Sequence, residues 1–96
     1  MRPSEALAKH RDEVLQIIGR YPVSNPRIFG SVARGEDTET SDLDLVIEVH
    51  RPFSYFDMAK LALELEALLG CEVDIGTADS LRPFVVASVA ADLRSL

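Results

Sequence analysis

The stretch Leu43-Asp44-Leu45-Val46-Ile47-Glu48-Val49 constrains this chain more than any other. Its aliphatic residues carry acids among them, the pattern of a β-strand with one covered and one solvated face. Helical and strand patterns alternate around it. Ser4 is placed to cap a helix over residues 5–20, whose apolar face is Leu7, Val14, Ile17 and Ile18. After Pro22, Asn25 and Pro26, the run Arg27-Ile28-Phe29 predicts a short strand that stops at Gly30. Ser54 and Asp57 form a capping-box pattern, and Met58, Leu61, Ala62, Leu65, Leu68 and Leu69 line one face before Gly70, predicting a helix over 55–69. Cys71–Ile75 reads as a third strand, and Ser80 with Pro83 opens a last helix running from Phe84 to the end. That helix is apolar around more of its circumference than one packing face requires, which suits a protein partner. The order predicts an α/β (α+β) fold: a small mixed three-strand sheet with helices packed on one face.

A chain of 96 residues is the size of one domain, and residues 1–96 read as a single unit without a repeat or linker. Cys71 stands alone, so an internal disulfide and a zinc cage are excluded, and the N-terminus lacks a secretion pattern. The expectation is a cytoplasmic protein. No apolar run reaches the roughly 20 residues that span a bilayer. The net charge of −6 has the wrong sign for neutralising nucleic-acid phosphates, so direct polynucleotide binding is not expected.

Within that acidic balance one constellation can carry chemistry. Asp42 and Asp44 are two apart on the best strand, so both carboxylates leave the same face. Carboxylates held that close repel unless a proton or a hard cation such as Mg²⁺ lies between them. Asp74 lies between Val73 and Ile75 and would be costly in the core, so it belongs on the open face. If the two strands are neighbours, three carboxylates converge and can hold two ions ~3.5 to 4 Å apart, the arrangement used for in-line phosphoryl displacement. Gly30-Ser31 ends the preceding strand, where a residue without Cβ lets a phosphate approach the backbone and a hydroxyl can donate to it. One helical turn at Val32-Ala33-Arg34 would add free N–H groups, and Arg34 can neutralise a phosphate or brace a carboxylate.

The segments Gly30-Ser31-Val32-Ala33-Arg34-Gly35 and Ser41-Asp42-Leu43-Asp44-Leu45 resemble the signature of the DNA polymerase β-like nucleotidyltransferases. With the Val73-Asp74-Ile75 strand and the short length, the chain is most similar to the minimal nucleotidyltransferases, antitoxin partners of HEPN-domain ribonuclease toxins. The resemblance spans nearly the whole chain. It implies a polymerase β-like core, metal-binding aspartates at Asp42, Asp44 and Asp74, and phosphate contacts at Gly30 and Ser31. It further implies transfer of AMP from ATP, with two Mg²⁺ ions, to a tyrosine of a HEPN toxin held in a hetero-oligomer.

Other features invite plainer readings. Glu36, Asp37 and Glu39 read as a solvated loop able to meet a basic partner. His10 and His50 have no second ligand at metal spacing, and Cys71 reads as a small buried hydrophobe. The Leu61, Leu65, Leu68 stripe reads as core. A rival function is a binding module that neutralises its partner by occlusion, with the aspartates a structural ion site. A third keeps nucleotidyl transfer but directs it to a small molecule, which the lack of an acceptor-binding domain disfavours.

Overall fold

The computed structural model describes residues 1–77 and 93–96. Its elements are α1 (Pro3–Lys9), α2 (Arg11–Ile18), β1 (Val23–Phe29), α3 (Gly30–Arg34), β2 (Leu43–Val49), α4 (Tyr55–Leu69), β3 (Val73–Thr77) and β4 (Arg94–Ser95). One mixed sheet runs in the order β3-β2-β1-β4, with β2 antiparallel to β1 and parallel to β3. The crossover between the parallel strands is α4, long enough to return the chain to the same end of the sheet.

Local chemistry explains most of the boundaries. The side chain of Ser54 accepts from the Asp57 N–H while Asp57 accepts from the Ser54 N–H, so α4 opens on a reciprocal cap. It closes at Gly70, whose φ of 73° suits a residue without Cβ. Leu61 and Leu65 are fully buried and Leu69 nearly so, while Leu68 packs at the margin of the same cluster. They meet Ala6 and Leu7 of α1, Val14 and Ile18 of α2, and Leu43, Leu45 and Ile47 of β2. Val46 is also buried, at 2% exposure, although alternation turns it to the opposite face. The middle of β2 is therefore covered on both sides.

Several sequence expectations are corrected. The helix expected over 5–20 is two helices, because His10 leaves helical geometry (φ −112°, ψ 21°) and its Nδ1 hydrogen-bonds with Glu13 Oε1 at 3.1 Å. Arg2 occupies the cap position of α1, and Ser4 lies inside the helix. β1 begins at Val23, since Asn25 (φ 50°) and Pro26 sit at a register shift between Ser24 and Arg27 that keeps pairing with β2 alive. The third strand starts at Val73 and runs through Gly76 to Thr77. The sheet has a fourth strand: Arg94 and Ser95 pair with Ile28 and Arg27, so the chain's end is extended and not the tail of a helix. The body of that expected last helix, residues 78–92, lies outside the described residues. No helix among the described residues is long and apolar enough to cross a membrane.

Candidate active site

The β1–α3 junction and the first residues of β2 and β3 meet at one end of the sheet. Phe29 is the Cα partner of Asp44, and Asp44 is the partner of Asp74 across the parallel pair. Asp42 lies one residue before β2, the first residue of which donates its N–H to the Glu72 carbonyl at 2.9 Å. Immediately after Phe29 the chain turns at Gly30, with φ at 75°. A Cβ on Gly30 would stand 2.5 Å from Asp44 Oδ2, so only glycine lets this turn lie against the carboxylate. Ser31 follows in the first turn of α3, where backbone N–H groups have no partner within the helix. Gly35, in the left-handed region at φ 72°, ends α3 after Arg34.

Burial first, then repulsion from the carboxylates of Asp74 and Asp42, push the Asp44 pKa above the usual carboxylate value, and Arg34 pulls it back. Repulsion from both neighbours is the electrostatic signature of a site that gains from a cation. Asp74 is exposed on edge strand β3, as expected from its place between Val73 and Ile75. Arg34 is shared, because its Nε also bonds Glu36 Oε2 at 3.2 Å. Among the described residues no three acidic, histidine or cysteine side chains are grouped as a ready metal cage. The donor set is nevertheless all carboxylate oxygen, the chemistry that suits Mg²⁺. The bare Gly30 backbone beside Asp44 also leaves room that a Cβ would fill. In donor type, and in the mutual repulsion at Asp44, the residues fit a hard divalent ion.

Two residues had roles the sequence did not disclose. Asp37 is 3% exposed and is no solvated loop residue: its Oδ2 accepts from the Ser4 N–H at 2.8 Å, tying the α3–β2 loop to α1. Tyr55, 89% exposed, lines a cavity of about 220 Å³ together with Met58, Ala62, Val73, Asp74 and Ile75. The only sequence signal for Tyr55 was an aromatic pair, Tyr55-Phe56, outside the apolar stripe of α4.

The family model described as "Nucleotidyltransferase domain" matches residues 7–96. The chain belongs to the nucleotidyltransferase domain family. It is an enzyme fold, and the matched span includes Gly30, Asp42, Asp44 and Asp74. The Methanocaldococcus jannaschii protein named "Putative protein adenylyltransferase MJ0126" is 40% identical over 90 residues, covering 93% of this nucleotidyltransferase and 89% of the relative. Protein adenylyltransferase MntA of Thermococcus cleftensis is 32% identical over 87 residues, covering 91% and 85%. A solved structure described as "putative minimal nucleotidyltransferase" superposes with a TM-score of 0.84 at 40% identity, covering 97% of this chain and 95% of that one. The MNT antitoxin fold seen in complex with a tri-AMPylated Shewanella oneidensis HEPN toxin is shared at a TM-score of 0.71 and 14% identity, covering 92% and 69%.

Proposed function

We propose that this nucleotidyltransferase moves AMP from ATP to a tyrosine hydroxyl of a HEPN-domain toxin in the cytoplasm and thereby acts as its antitoxin. The observation that carries the reading is the Asp44–Asp74 pair in register, with Asp42 beside it and the bare Gly30 backbone against the Asp44 carboxylate. The names of the relatives at 40% and 32% identity support the reaction class. The HEPN complex that shares the fold supports the kind of partner.

In this scheme Asp42, Asp44 and Asp74 would hold one Mg²⁺, and Asp42 with Asp44 would hold a second. When bound, Mg²⁺ supplies charge stabilisation to the attacking and leaving oxygens of an in-line displacement. The turn at Gly30 and Ser31 seats the phosphates through backbone N–H groups and a hydroxyl. Arg34, at the end of α3, offsets triphosphate charge. Asp74, exposed on the outer strand β3, would receive the acceptor proton in this scheme.

The test is intact mass of a HEPN toxin from the same genome after incubation with this chain, Mg²⁺ and α-labelled ATP. Whole AMP units should appear on the toxin. Asp44→Asn should lower the rate at least ~10²-fold, because metal-centred charge stabilisation is worth several kcal/mol and each ~1.4 kcal/mol is tenfold. Removing Mg²⁺ with EDTA should do the same. A stable complex that silences the toxin with no gain in mass would overturn transfer in favour of occlusion.

A further inference from the structure

Helix α4 buries one apolar face and exposes another. On its inner side Leu61, Leu65 and Leu69 join Leu43 and Leu45 of β2 and Val73 of β3 in the core. Seven residues of the helix are exposed, and five of them are Tyr55, Phe56, Ala59, Leu63 and Ala67. The two largest aliphatic or phenyl side chains among these, Phe56 and Leu63, are 88% and 64% exposed. Phe56, Ala59, Leu63 and Ala67 recur at i, i+3, i+7 and i+11, so they form one stripe along the outer side of α4. The solvated face of a helix is ordinarily polar, and a contiguous apolar stripe there marks an interaction surface.

We infer that this stripe is the contact face of a homodimer in which α4 lies antiparallel on α4 of a second copy. The stripe is complementary to itself. About a two-fold axis passing between Leu61 and Ala62, Phe56 falls opposite Ala67 of the second copy and Leu63 opposite its Ala59, so each large side chain meets a small one. The same axis sets each flank of the helix against the like flank of the other copy, which brings Lys60 alongside Glu64 of the second copy, twice by symmetry. Lys60 has no ion pair among the described residues. Glu64 accepts from the Tyr21 hydroxyl through Oε2 and holds Arg20 Nη1 only at 3.8 Å through Oε1, so that oxygen can take a second cation. The toxin of the reading above is the poorer occupant. Helix α4 covers the sheet face that carries Leu43 and Leu45, whereas Asp44 and Asp74 alternate with the core residues of their strands and leave the opposite face. A toxin whose tyrosine reaches the aspartates docks away from the stripe. A dimer built on α4 leaves both aspartate sites open, on opposite sides of the assembly.

The experiment is sedimentation velocity of the full chain over a wide range of concentration, without nucleotide or toxin. The contact is one helix wide and about 22 Å long, at the low end of specific interfaces, so the mass should climb from one chain to two as concentration rises. Leu63→Glu and Phe56→Glu should each raise the dissociation constant at least about tenfold. Both side chains are exposed in the single chain, so the urea midpoints at low concentration should match the wild type. With isotope-labelled and unlabelled chains mixed, a carbodiimide should join Lys60 of one to Glu64 of the other. The mass of one chain at every concentration would overturn the inference, as would a dimer that survives both variants or that forms without the cross-link. Loss of toxin binding in Leu63→Glu, with the wild type a single chain throughout, would give the stripe to the toxin instead. The inference and the nucleotidyl-transfer reading fail separately: a dimer that moves no AMP sinks only the transfer, and AMP transfer by a chain that never dimerises sinks only the dimer.

Discussion

Gly30 and Gly70 share a backbone conformation and differ in what surrounds them, which separates a stability requirement from a site requirement. Both hold φ near +75°, at 75° and 73°. An alanine in that region loses roughly 1–2 kcal/mol to contact between its Cβ and its own backbone. At Gly70 an added Cβ meets nothing within 4 Å, whereas at Gly30 it lands 2.5 Å from Asp44 Oδ2. Gly30→Ala and Gly70→Ala should therefore lower the midpoint of denaturant unfolding, Gly70→Ala by the backbone strain alone. Only Gly30→Ala displaces the Asp44 carboxylate, so only it should also lower AMP transfer, by more than its loss of folded protein accounts for. Equal activity in the two variants, measured at a temperature where both are folded, would remove Gly30 from the site.

Elements whose signals are local were legible from the sequence, and those stabilised by distant partners were not. Helix α4 was readable end to end because Ser54, Asp57 and Gly70 act within a turn of its termini. Strand β2 was readable because its pattern is its own. The pairing of Arg94 and Ser95 with β1 joins residues more than 60 positions apart, and nothing around Arg94 announces a strand. Asp42, Asp44, Asp74, Gly30 and Ser31 could be picked out because chemically unusual residues stand out in apolar or β-prone context. Asp37 could not, because it sits in an acidic loop and its partner is 33 positions away. That contact predicts an acid sensitivity. Burial raises the Asp37 pKa, but the N–H and hydroxyl of Ser4, the N–H of Asp37 itself and the charge of Arg2 together more than compensate, so the net pKa lies below the usual value. A carboxyl depressed on folding contributes stability that is complete above its unfolded pKa of about 4 and disappears as pH falls through the folded value. Asp37→Ala should destabilise at neutral pH by ~1–3 kcal/mol, the range for leaving a buried donor unpaired. The gap between the variant and the wild type should narrow below about pH 4, where the wild-type carboxyl becomes protonated. Urea unfolding at pH 7 and pH 3 tests this, and a gap that stays constant would assign the effect of Asp37 to packing.

At the scale of the whole molecule, net charge and site placement act together. The chain carries −6, and the site contributes Asp42, Asp44 and Asp74 to the same end of the sheet as the exposed Glu36 and Glu72. Such a surface repels polyanions and steers basic surfaces toward itself. ATP is negative as well, so in the proposed scheme its seat would depend on the Gly30 turn, Arg34 and Mg²⁺, all at short range. An acceptor protein meets the acidic face at long range. The Debye length falls from about 30 Å at 0.01 M salt to about 8 Å at 0.15 M, which removes steering while leaving contacts within the site. If the acceptor presents a basic face, kcat/KM for the toxin should fall steeply across that interval while kcat changes little, because steering acts on encounter and not on the chemical step. A kcat that falls as much as kcat/KM would place the salt dependence in the site itself. A kcat/KM insensitive to salt would mean that the toxin docks through apolar surface, with the acidic face serving metal and nucleotide alone.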